Sequence, residues 1–99
     1  MNAIQNDGNG PYFVRDPRSK LAVKIDWSAW LMQEATTITD STWEAAPGIV
    51  TEGPSFTTTQ TAVTVSSGLD GSSYTLRNTI TCANGVIDSR SIRVVVKDR

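Results

Sequence analysis

The residues with chemical potential in this 99-residue chain are a scatter of carboxylates, one thiol and two glycine-rich turns. Asp26, Glu34, Asp40, Glu44, Glu52 and Asp70 are spaced irregularly, so no single strand or helix pairs two of them for general acid–base work. Only the fold decides whether two of them meet. The chain has no histidine, which removes the commonest general base, the commonest metal ligand and every Ser-His arrangement. Cys82 alone is not a zinc site, and it shares an alternating face with Leu76 and Ile80, the pattern of a small core residue. The run NDGNG at 6–10 begins like a calcium loop but lacks the downstream Glu, and reads as flexible chain. GLDG at 68–71 has neither the lysine nor the following helix of a phosphate loop. The expectation is a protein without catalytic residues, metal or cofactor.

The stretch KIDWSAWL at 24–31 raises a different possibility, a binding site built from tryptophan. Leu21, Val23, Ile25 and Trp27 alternate with Ala22, Lys24 and Asp26, the period of a half-buried strand. After Asp26 the spacing becomes three and four: Trp27, Trp30 and Leu31 share one face of a helical turn, which Asp26 or Ser28 can cap. The strand is expected to run into a single turn whose indoles fold back and close the end of the core. The rival reading keeps Trp30 as an interface anchor, and its exposure decides between them.

Along the rest of the chain, threonine, valine and isoleucine favour strands over helices. Residues 36–45, containing Trp43, read as a strand bent or broken near Asp40-Ser41, followed by the turn Ala46-Pro47-Gly48. Residues 55–67 read as one long or two short extended pieces. In the last third, Tyr74, Leu76, Asn78, Ile80 and Cys82 alternate with polar residues, as do Ile92, Val94 and Val96. A three-residue loop at Ala83-Asn84-Gly85, with Gly85 left-handed, sets Cys82 opposite Val86, Leu76 opposite Ile92 and Tyr74 opposite Val94. A two-residue turn would mix the faces. SGLDGSSY, with Gly71 in the tight turn, places Tyr74 as a tyrosine corner of an immunoglobulin-like sandwich, or else as an ordinary core tyrosine. These segments make an all-β, immunoglobulin-like or fibronectin-like β-sandwich of about six to seven strands.

One domain is expected over 15–99, preceded by a flexible arm over 1–14 in which Tyr12 and Phe13, with Arg15 beside them, offer a tether. The start of the chain lacks the basic and apolar pattern of a signal peptide, and no run is long enough for a membrane helix, so a soluble protein of the cell interior is expected. Residues 26–70 carry six acids and no base, whereas the flanks 1–25 and 71–99 carry net +2 and +3. Either these charges neutralise each other within one domain, or they form a two-faced surface that orients docking. Nucleic acid does not suit a chain of pI about 5.2 with no basic run.

FVRDPRSKLAVKIDWSAWL, the Trp43 strand with its Pro47-Gly48 turn, and SGLDGSSYTLRNTITCANGVIDSRSIRVVVKDR together resemble the phage fibre–tail adaptors, small immunoglobulin-like virion proteins. The resemblance covers about residues 13–99 and rests on Asp16-Pro17, Asp26-Trp27, the Gly68/Gly71/Tyr74 turn, Gly85 and Arg90. It implies a non-enzymatic structural protein of the virion, assembled in the host cytoplasm. Its partners would be tail, neck or fibre proteins, with a homo-oligomeric ring as one arrangement. Tyr12, Phe13, Arg15 and Trp30 are then the candidate interface, and Asp26, Trp27, Leu31, Trp43, Gly71, Tyr74 and Gly85 the structural set. The competing function is a recognition module that binds carbohydrate or a host surface protein through Tyr12, Trp30 or Trp43.

Overall fold

Alternating runs of β-branched residues become strands wherever one face can be buried, and here two sheets bury those faces against each other. The computed structural model describes residues 5–7, 10–16 and 18–97. The elements are β1 (Gln5–Asp7), β2 (Gly10–Arg15), β3 (Leu21–Asp26), α1 (Ser28–Glu34), β4 (Ile38–Ala45), β5 (Ile49–Phe56), β6 (Gln60–Ser67), β7 (Ser73–Cys82) and β8 (Ile87–Val96). One sheet has the order β1-β2-β8-β7-β4 and the other β3-β6-β5. With β2 counted as the first strand, β3, β6 and β5 take the places of B, E and D in an immunoglobulin-like sandwich, and β8, β7 and β4 those of G, F and C. The sandwich therefore has its expected seven strands, and β1 adds a short eighth at the edge of the larger sheet.

Phe13, Leu76, Ile80, Ile92, Val94 and Val96 face Val23, Ile25, Val63, Val65 and Trp27 across the core. No disulfide joins the sheets, since Cys82 is a free, buried thiol. Asn78 bridges them instead. Its Oδ1 accepts from the Trp27 indole N–H at 3.0 Å and the Thr61 hydroxyl at 2.7 Å, while its Nδ2 donates to Ser41 Oγ at 2.9 Å and to the Thr42 carbonyl at 3.0 Å.

The β7–β8 hairpin has the expected register, with Leu76 opposite Ile92 and Tyr74 opposite Val94. Gly85 has φ +89° and donates to the Cys82 carbonyl, while Cys82 donates to Val86. Tyr74 is a corner residue: its hydroxyl accepts the Leu69 N–H at 3.0 Å, above the turn that holds Gly71. Its ring lies on Gly48, where a Cβ would come within 2.6 Å of Tyr74 Cε1, so only glycine fits this approach.

Two expectations need correction, and two left open between alternatives are decided. The arm expected over 1–14 loses its end to the sandwich, because β2 pairs in parallel with β8 and sets Phe13 opposite Val94 in the core. Residues 1–4, 8 and 9 of that arm lie outside the described residues. The turn after β3 is a seven-residue helix rather than a single turn. Of the two alternatives for residues 36–45, the bent strand holds and the broken one does not: β4 is continuous through Asp40-Ser41, and one extra residue, Thr39, bulges between Ile38 and Asp40. For residues 55–67 the two-piece alternative holds, with Ser55 and Phe56 ending β5 and β6 starting at Gln60.

Candidate functional site

At the end of β3 neither Asp26 nor Ser28 caps the helix as expected: the N-cap is Trp27, without a side-chain cap bond, and Asp26 Oδ1 accepts the Ser28 N–H at 2.9 Å in an Asx turn that leads the chain into α1. Hydrogen bonds from the Ser28 side chain and backbone hold the Asp26 carboxyl below its ordinary range, with a smaller push from Arg90. Between them Trp27 turns inward and is fully buried. Trp30 packs edge-on against it at 5.6 Å between centroids and is half-buried, which favours the closing role over the exposed anchor. The Arg90 guanidinium covers the remaining side of Trp27, 4.1 Å from the ring centroid.

The helix ends on Ala35, left-handed at φ +53°, and the N–H groups of Ala35 and Thr36 return to the Met32 and Leu31 carbonyls. This geometry sends the chain past two other loops. Trp27 N–H donates to the Thr59 carbonyl at 2.9 Å, Ile38 N–H to Thr58 at 3.0 Å, and Ala83 N–H to Thr37 at 3.0 Å. Connections from both sheets are thereby pinned together at one pole of the sandwich. Between them lies an open groove of about 770 Å³, walled by Leu31, Met32 and Ala35 on the helix side and by Thr59, Ala83 and Asn84 opposite. Met32 is 83% exposed at its rim.

Acids gather at the same pole. Glu34 ends α1 next to the groove residue Ala35, and Asp88 stands on β8 opposite Ile80, just past the hairpin. Burial pushes the Cys82 thiol up, and the negative charges of Asp88 and Glu34 push it further. In the β4–β7 register Asp40 sits opposite Thr81, two residues before the groove residue Ala83. No three His, Cys, Asp or Glu side chains among the described residues are grouped to hold a metal.

The residues expected to form an interface do not form one patch. Phe13 is 1% exposed in the core, and Tyr12 is half-buried with Arg93 over its ring at 5.2 Å. Arg15 is fully buried at the pole opposite α1, where it donates to the carbonyls of Ser67 and Ser19. Burial lowers its pKa, opposed by neighbouring Asp16. Trp30 stands apart from all three, on α1. Among the structural residues, Leu31 is buried under the helix and Trp43 is half-buried against the core. Sequence reading missed Met32, Ala35 and Asn84, the groove residues, although Ser28, Leu31, Met32 and Ala35 recur at helical spacing and signal one shared face.

Residues 15–95, from the last residue of β2 to the next-to-last of β8, match the family model described as podophage GP4 fiber-tail adaptor protein gp77. The chain belongs to this family. Its role is that of a structural adaptor of the phage tail, and it is a component of the virion. A search of curated proteins returns no match. The matched span of the fiber-tail adaptor takes in the strands from β3 through nearly all of β8, α1 and all three loops of the groove. No helix of the described residues is long and apolar enough to cross a membrane.

Proposed function

We propose that this adaptor joins fibre and tail through protein–protein contacts alone, without catalysis and without nucleic acid. The observation that carries the reading is the family match over residues 15–95, which spans the sandwich nearly end to end. The body suits such a role, because its loops are cross-linked by backbone hydrogen bonds and a docking surface is organised before the partner arrives. A ring of copies is the arrangement proposed within the particle, assembled in the host cytoplasm, with the β3 and β4 edges as the surfaces for contact between copies. Tyr12, Trp30 and Trp43, the residues that a carbohydrate reading needs exposed, are all half-buried.

The test is a tagged pull-down from cells assembling particles, with partners identified by mass spectrometry. Tail and fibre proteins recovered in stoichiometric amounts support the reading. Recovery of the tagged chain without any particle protein overturns it.

A further inference from the structure

The geometry points to the groove beside α1 as the seat of a partner segment that presents an aliphatic or methionine side chain flanked by lysine or arginine. This inference rests on the adaptor reading and names the chemistry of the contact. The walls supply the apolar part. Leu31, Met32, Ala35 and Ala83 line the groove, and a thioether adapts its shape to whichever aliphatic side chain enters. The opening is set before binding, because Trp27, Ile38 and Ala83 bond across to the two neighbouring loops.

The rim supplies the charge. Glu34 ends the helix beside Ala35, Asp88 follows the hairpin on β8 and Asp40 stands on β4 opposite Thr81, while Arg90, the cation nearby, lies over Trp27. A cationic segment is attracted to such a rim and an anionic one repelled, so the charge selects the occupant. The same argument disfavours a second copy of this chain. Of the exposed large apolar residues another copy could offer, Met32, Val50, Leu69 and Ile87 each lie within two residues of an acid, Glu34, Glu52, Asp70 and Asp88, and the remaining one, Phe56 near Lys24, is aromatic rather than aliphatic. Self-docking would set acid against acid.

The test replaces Met32 with a photo-crosslinking benzoylphenylalanine in the full chain, allows particles to assemble, irradiates them and sequences the joined peptides. The expected product links residue 32 to another particle protein, at a segment with Leu, Ile, Val or Met within two residues of Lys or Arg. A paired variant, Glu34→Lys with Asp88→Lys, retains the fold because both positions are exposed, and lowers that cross-link by roughly tenfold. A link to a second copy, or to an acid-flanked segment, overturns the inference. So does a chain that enters particles but gives no link from residue 32, and that result leaves the adaptor reading standing. A chain absent from particles removes both.

Discussion

Asn78 uses its full hydrogen-bonding capacity inside the core, accepting twice and donating twice. The indole N–H can only donate and the Thr42 carbonyl can only accept, so the amide has one workable orientation. Asn78→Asp keeps the two acceptor contacts but sets a carboxylate against that carbonyl in a site without exposure. Burial raises the new acid's pKa in the folded state above its unfolded value near 4, so stability is lost as pH rises from the lower value through the higher. Urea denaturation should therefore show a loss of about 3 kcal/mol at pH 7 and a smaller one below pH about 4. An equal loss at both pH values would dismiss the buried-charge explanation. The alternation of β7 puts Asn78 on the inward face in the sequence itself. Its partners are not legible, because Trp27, Ser41 and Thr61 lie on other strands and no spacing links them to it.

At the scale of elements, the short helix is held by its neighbours more than by its own length, since seven residues are too few for a stable isolated helix. Arg90 fastens it by covering Trp27 and reaching the Asp26 carbonyl at 3.4 Å. Arg90→Ala should cost about 1 kcal/mol globally and should speed amide exchange in Leu31–Ala35 more than in β7. Unchanged exchange in α1 would show that the guanidinium does not fasten the helix. Tyr74→Phe removes the acceptor for the Leu69 N–H at the β6–β7 turn, and thermal unfolding should report a loss of about 1 kcal/mol. A variant as stable as the parent would show that water replaces the phenol without cost. Both the hairpin register and the tyrosine corner were readable because their determinants are local: Gly85 and Gly71 stand within a few residues of the strands they position. β2 was not readable. Its partner β8 is at the far end of the chain, and a buried arginine occupies an inward position where the pattern calls for an apolar residue.

Across the whole molecule, the charge blocks partly cancel inside one domain. Lys20 of the basic flank pairs with Glu52 of the acidic middle, and Glu44 stands opposite Arg77 between β4 and β7. The acids at the α1 pole remain concentrated on one side. The isolated chain should keep one mass in light scattering between roughly 50 and 500 mM salt, while its complex with a particle partner weakens steeply over that range. A complex indifferent to salt would place the contact away from the acidic pole. The groove itself could not be read from sequence, since its walls come from three connections that only the sandwich brings together.

The parallel pairing of β2 with β8 has a mechanical consequence. Tension applied at Gly10 and at Val96 pulls these two strands past each other along their length, so the hydrogen bonds from Tyr12–Arg93 to Arg15–Val96 share the load simultaneously. An antiparallel edge pulled from one end would open one bond at a time. Arg15, clamped to Ser67 and Ser19 at the end of β2, resists the same displacement. Single-molecule pulling between these two positions should therefore give one high-force rupture, and pulling across the β7–β8 hairpin from its open end a lower one. A load carried between these two positions would meet this small domain along the direction in which it yields last.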